Sequence, residues 1–366
     1  MNRRTFVQCG LASVIASPLL AAIQNQTLEA ADKILSDATA ANILNSAVIH
    51  VTQRDFTHSK FFGNIKSTDA RYLLGSITKP ICITALMHYF DRADFSLDDK
   101  LQKFLPKFTG EGREAVTLRH LLTHTSGLPD QLPDNNELRK QYAGLSEFVA
   151  GAIRTPLSFA PGTKYQYSSM GILLATHVAE LISKAGILEL TDRNVFRPLK
   201  MTRSSLGLGK FAATDLIPSQ TEFAAPEAGG GDPSAKNWDW NSSYWRKLGA
   251  PWGGAFCSAP DVAKFLAAFL GKQEGFLKPS TVQMMVTNQN PVGLTPRGLG
   301  FNVGSSAGPN GCSERTYGHT GSTGTLCWAD PATETICVVL TSLPATAVKP
   351  HPRDLVSAKI AEGIQR

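Results

Sequence analysis

At 366 residues, 42% of them hydrophobic and 18% charged, the chain has the make-up of a soluble globular protein with room for one large domain or two medium ones. Its net charge of +6 falls to +4 once Arg3 and Arg4 of an N-terminal leader are set aside, and no Lys/Arg block marks a nucleic-acid-binding arm. Beyond residue 22 no segment reaches the roughly 18 apolar residues a membrane span requires.

Residues 1–22 read as a targeting segment. Asn2-Arg3-Arg4-Thr5-Phe6-Val7-Gln8 sets paired arginines before an apolar pair, and a modest apolar stretch runs from Leu11 to Leu20. The pattern resembles a twin-arginine export signal, with Leu20-Ala21-Ala22 as the cleavage site and a periplasmic or extracellular destination. Pro18 breaks the stretch and argues against an uncleaved anchor. Cys9 belongs to this leader. The other cysteines, Cys82, Cys257, Cys312, Cys327 and Cys337, match no zinc or C-x-x-C spacing, and an export route that folds its cargo in a reducing compartment favours free, mostly buried thiols.

Residues 27–41 are predicted helical from the spacing of Leu28, Ala31, Ile34, Leu35 and Ala38. Residues 47–51 and 61–63 read as strands. Tyr72-Leu73-Leu74 is strand-like and breaks at Gly75, after which apolar residues recur at helical spacing to about Phe90. Ser76 and Lys79 then stand at i and i+3 on one face of a first helical turn. A serine hydroxyl is a weak nucleophile that needs a base, and a partly buried amine one turn away can supply it. The competing reading of this tetrapeptide is a helix cap followed by a solvated lysine.

From 91 to about 205 the pattern is helices and loops, including 116–123, 145–153 and 171–183, and predicts a helical lobe inserted between strands. His120 and His124 have an i, i+4 spacing that metal sites use, but no H-E-x-x-H and no third ligand accompany them. Residues 226–254, with Gly229–Gly231 and tryptophans at 238, 240, 245 and 252, read as a long loop, either functional or anchored by its indoles. A helix at 261–270, strands at 300–303, 325–329 and 335–341, a hairpin over 330–334 and a helix at 354–364 complete the chain. The order predicts an α+β fold: an antiparallel sheet covered by terminal helices, beside an all-helical lobe.

Two further stretches accompany Ser76. Pro161-Gly162 precedes Tyr167-Ser168-Ser169, and Tyr317-Gly318-His319-Thr320-Gly321-Ser322-Thr323-Gly324 leads into a strand. With these residues, and with 121–129, Pro198-Leu199-Lys200-Met201 and Gly253-Gly254 before Cys257, the chain resembles the serine β-lactamase and penicillin-binding superfamily. The resemblance is to its branch of class C β-lactamases, D-alanyl-D-alanine carboxypeptidases, D-aminopeptidases and esterases, and runs from about residue 27 to 342. It implies the β-lactamase/transpeptidase-like fold, with residues 23–366 as one catalytic domain. Ser76 would be the acylated nucleophile, Lys79 its proton partner and Tyr167 a second base, made usable if the Lys79 charge lowers its pKa. The backbone N–H groups of Ser76 and Ser322 would form the oxyanion hole. Ser169, His319, Thr320 and Gly321 would face substrate, and neither metal nor cofactor is required.

Two departures bear on the substrate. Ser169 stands where the pattern usually has Asn, and His319 where class C β-lactamases usually have Lys, so the permanent cation there is exchanged for a group that titrates near neutrality. His319 would then place a limb near pH 6–7 in the rate profile. Both changes turn the expectation from a true β-lactamase towards D-amino-acid peptide or ester hydrolysis. A non-catalytic protein that binds cell-wall peptides is the alternative of a different class.

Overall fold

The computed structural model describes residues 25–364, Glu274 excepted, so the leader lies outside the described residues. Its frame is a six-stranded antiparallel sheet built from β1 (Ser46–Gln53), β2 (Phe56–Gly63), β6 (Asn302–Val303), β7 (Tyr317–Gly321), β8 (Thr325–Asp330) and β9 (Thr335–Thr341), in the order β2-β1-β9-β8-β7-β6. A smaller sheet of β3 (Tyr72–Leu73), β4 (Ser204–Leu206) and β5 (Ala255–Cys257) has β5 at its centre. The 330–334 hairpin closes with Asp330 opposite Thr335.

Both faces of the large sheet are buried, so β1, β8 and β9 carry near-continuous apolar runs. On one face Ile49, Val51, Trp328 and Val339 pack with Leu28 and Leu35 of the Asn25–Ala40 helix and with Val356 and Ile360 of the Pro352–Glu362 helix. On the other, Val48, Val338 and Leu340 join one core with the Thr78–Asp91, Ser169–Ser183 and Ala259–Ala267 helices. Between residues 92 and 203 the described residues form helices, turns and loops. The fold is thus the predicted α+β arrangement, with the terminal helices on one face of the sheet and the helical layers on the other.

Several local readings differ. The expected strand over 300–303 shortens to Asn302–Val303, because Gly300 takes the left-handed conformation at φ +84°. The 317–324 stretch is itself a strand as far as Gly321. Residues 226–254 are not a plain loop: short helical turns punctuate them, including Ser243–Leu248, and all four tryptophans are buried.

Candidate active site

Ser76 lies in a 3-10 turn, Gly75–Ile77, that runs directly into the Thr78–Asp91 helix, so the i, i+3 juxtaposition holds although the first turn is tighter than an α-helix. Lys79 Nζ lies 3.0 Å from Ser76 Oγ and donates to the carbonyl of Trp252 at 2.8 Å. The lysine is 1% exposed. Burial disfavours its ammonium form and pulls its pKa down to about 7; Asp130 opposes that shift and Arg297 reinforces it. Near neutrality a large fraction of Lys79 is therefore a free amine in contact with the serine hydroxyl.

The turn is fastened to the edge of the large sheet. Thr323 and Thr325 donate through Oγ1 to the carbonyls of Leu73 and Leu74, at 2.7 and 2.6 Å. The Leu74 amide donates to Ala255, and the Ala255 amide to Thr78 Oγ1. Gly75, at φ +56°, is what allows the approach: a Cβ there would meet Thr323 Oγ1 at 2.9 Å and the Ser322 amide nitrogen at 3.2 Å. The backbone of Ser322 thus lies against the residue preceding Ser76, the juxtaposition a two-amide oxyanion hole requires. Gly321 makes the same contact from the other side, with no room for a Cβ against the Leu74 carbonyl.

Tyr167 approaches through the Ser169–Ser183 helix, which Ser168 caps by accepting from the Gly171 amide. Lys79 Nζ lies 4.7 Å from the centre of the Tyr167 ring. The buried Tyr167 hydroxyl makes no well-formed hydrogen bond, although Ser76 is near enough to favour ionisation weakly. Burial dominates and holds the phenol well above its usual range, outweighing the Arg297 charge. This corrects the expectation that Lys79 lowers the phenol: the cation acting on it is Arg297, and the group stays protonated.

His319 also behaves otherwise than expected. Its Nε2 accepts from Arg297 Nη2 at 2.7 Å, and its Nδ1–H donates to the Thr320 carbonyl at 2.6 Å. A ring that accepts from a guanidinium is neutral, and burial with the Arg297 and Lys79 charges holds its pKa well below the usual value. The permanent cation of the site is therefore Arg297, which sequence reasoning missed. It is 3% exposed, bonds to Asn302 Oδ1 and the Gly300 carbonyl, and has no carboxylate partner among the described residues.

Ser169 engages Asp130. Its Oγ donates to Asp130 Oδ1 at 2.5 Å and its amide to the same oxygen at 2.9 Å, which seats the Asp130 carboxylate at the start of the helix. Asp130, the second residue missed, is the anion whose field Lys79 feels. Thr320 is half-buried beside His319, and Gly321 is buried. His120 and His124 have structural roles: His120 completes a capping box with Thr117, and His124 Nδ1 accepts from the Ser168 amide while its ring lies 4.5 Å from that of Tyr167. Among the described residues no cluster of metal-ligating side chains occurs. Cys82, Cys257, Cys327 and Cys337 are buried free thiols.

A family model described as Beta-lactamase matches residues 31–362. A Salmonella agona (strain SL483) protein named "Putative D-alanyl-D-alanine carboxypeptidase" is 26% identical over 331 residues, covering 80% of this chain and 74% of that protein. A solved penicillin-binding protein homologue from Caulobacter crescentus superposes with a TM-score of 0.75 at 17% identity, covering 94% of this chain and 99% of its own. EstCE1, a hydrolase with promiscuous acyltransferase activity, gives 0.74 at 19% identity, with 93% and 98% covered. At these identities the two structures show a shared fold.

Proposed function

This chain belongs to the beta-lactamase family, as a hydrolase of the β-lactamase/penicillin-binding type, and from that premise we propose that it forms an acyl-enzyme on Ser76 and acts on D-amino-acid peptides or esters. The observation that carries the reading is the desolvated Lys79 amine 3.0 Å from Ser76 Oγ, with a pKa near the pH at which a base must work. Free Lys79 takes the serine proton as Oγ attacks the substrate carbonyl carbon. The carbonyl oxygen gains negative charge, which the Ser76 and Ser322 amide N–H groups stabilise by donating to it. As the scissile bond breaks, Tyr167, held protonated, gives its proton to the leaving amine or alcohol and regains one from the lysine ammonium. Water then takes the place of the leaving group and releases the acyl chain.

The substrate preference rests on Arg297. A buried guanidinium bonded only to neutral groups is an unbalanced charge, and a substrate carboxylate beyond the scissile bond would balance it. The carboxypeptidase name of the curated relative fits such a substrate. We likewise infer export from the twin-arginine-like Arg3-Arg4 leader, which suits a cell-wall substrate. The test is turnover of an acyl-D-Ala-D-Ala peptide beside the same peptide ending in a carboxamide, and of a p-nitrophenyl ester. The free carboxylate should raise kcat/KM by about tenfold or more, and Arg297→Gln should abolish the preference. Equal turnover of acid and amide overturns the substrate assignment. Ester turnover no faster than that of Ser76→Ala would leave a wall-peptide binding protein instead.

A further inference from the structure

Tyr167 stands in a segment, 165–168, that belongs to neither helix nor strand, so no regular ladder of hydrogen bonds fixes its backbone. A single residue on another segment does so instead. The Gln166 amide donates to the His124 carbonyl at 2.9 Å, and the Ser168 amide donates to His124 Nδ1 at 3.2 Å. The residues on either side of Tyr167 are thus tied to the same histidine. The imidazole also packs against the phenol, with ring centres 4.5 Å apart and planes 39° from each other. On the same phenol, Lys79 Nζ lies 4.7 Å from the ring centre.

The state of the imidazole follows from this bonding. A backbone amide can only donate, so Nδ1 carries a lone pair and the proton of the neutral ring sits on Nε2. Burial disfavours the imidazolium, the Arg297 and Lys79 charges add to that effect, and the pKa is held well below its usual value. His124 is 0% exposed, and its backbone stands at φ +61°, a conformation that costs energy for a bulky residue and that its surroundings must hold. The hold is visible in the next residue. The Thr125 amide donates to the His120 carbonyl at 2.9 Å, and the Thr125 carbonyl accepts from the Gly162 amide at 2.8 Å. The strand-free stretch that carries Tyr167 is therefore laid along 124–125 through Gly162, Gln166 and Ser168.

We propose that His124 is a positioning residue for the proton transfer to the leaving group, acting through Tyr167 by fixing where its hydroxyl stands. This rests on the reading of Tyr167 as the acid of the acylation step. In that step the bond from the carbonyl carbon to the leaving oxygen or nitrogen breaks. Its electron pair takes the Tyr167 proton, and the phenolate takes one from the Lys79 ammonium. How much the step needs that proton depends on the leaving group. An alkoxide is too basic to leave bare, whereas p-nitrophenolate is a weak base and leaves unprotonated. A displaced phenol therefore slows an alkyl ester and spares a nitrophenyl ester. A lesion that only loosened the fold would slow both alike.

The test pairs the ethyl and p-nitrophenyl esters of N-acetyl-D-alanine, with kcat/KM measured for each on the full chain. The ratio of the two does not depend on the fraction of protein that is folded. Tyr167→Phe is the reference and should lower ethyl relative to p-nitrophenyl ester turnover by about a hundredfold or more. His124→Ala should lower the same ratio by about tenfold or more. His124→Asn keeps an oxygen that can accept from the Ser168 amide and tolerates the positive φ, and should restore the ratio by about threefold or more over His124→Ala. The pH limb set by Lys79 should stay in place in both variants, since burial, Asp130 and Arg297 set it. Equal loss on both esters, no loss on either, a shifted limb, or an Asn variant no better than Ala overturns the proposal. A selective Tyr167→Phe beside an unselective His124→Ala strikes the positioning role alone. An unselective Tyr167→Phe overturns the reading of Tyr167 as the acid, and the role of His124 falls with it.

Discussion

At the scale of single residues, the site is governed by two opposed charges around Lys79. Burial sets its pKa near 7, Asp130 lifts it and Arg297 depresses it. With the free amine as the proposed base, kcat/KM should rise with pH through a limb near 7. Removing the anion with Asp130→Asn should move that limb to lower pH, and Arg297→Gln should move it to higher pH. His319→Asn should leave it in place, since His319 is already neutral. Initial-rate profiles over pH 5–9 check all three, and a limb that vanishes with His319→Asn would return the titration to the imidazole. The Ser76–Lys79 pair was legible in sequence because i, i+3 contacts are local. Arg297 and Asp130 were not, because their partners His319 and Ser169 lie 22 and 39 positions away. A buried charge without a counter-ion leaves no periodic signal in a single chain.

At the scale of elements, the proposed oxyanion geometry depends on a sheet edge touching a helical turn. Gly75→Ala places a methyl group at φ +56° against Thr323 Oγ1 and the Ser322 amide. The expected result is a fall in kcat of about a hundredfold or more, the cost of a displaced oxyanion donor. Burst kinetics with a p-nitrophenyl ester should show acylation itself slowed, and an undiminished burst would remove this contact from the account. The helices were read from the spacing of their apolar residues, and β1, β8 and β9 from near-continuous apolar runs. Of the small sheet only β3 was read, as the strand-like Tyr72-Leu73-Leu74; β4 and β5 have three residues each, too few to establish a period of two. The tryptophan stretch was half legible: its indoles marked an anchor, but the folding of 226–254 into short helical turns arises from tertiary contacts.

At the scale of the whole molecule, the C-terminal helix is tied to the turn that carries Ser322. Arg353 Nη1 donates to the Gly321 and Thr325 carbonyls, at 2.5 and 2.8 Å, on either side of the turn that carries Ser322. Arg353→Met takes a charged donor away from both carbonyls, the Gly321 carbonyl keeping the Gly324 amide, and should cost about 1.5–3 kcal/mol, lowering Tm by several degrees and kcat more than it raises KM. Leu35→Ala, a cavity under the N-terminal helix, should cost about 2–5 kcal/mol and leave kcat unchanged, which separates the active-site coupling from plain stability. Thermal denaturation with paired kinetics reads both. The overall α+β layout was legible from element order, because a helical block between strands and helices at both ends leave few layer arrangements. The route by which a terminal helix supports a catalytic turn was not, since it runs through one side chain to backbone carbonyls 28 and 32 residues distant.

The central claim is that Ser76 is acylated with Lys79 as its base. Intact-protein mass spectrometry after treatment with a fluorophosphonate probe or a fluorescent penicillin tests it directly. A single adduct that maps to Ser76, is absent from Ser76→Ala and forms about a thousandfold or more slowly in Lys79→Met is the predicted result. No adduct on the unmodified protein, or an adduct that survives Ser76→Ala, would contradict it.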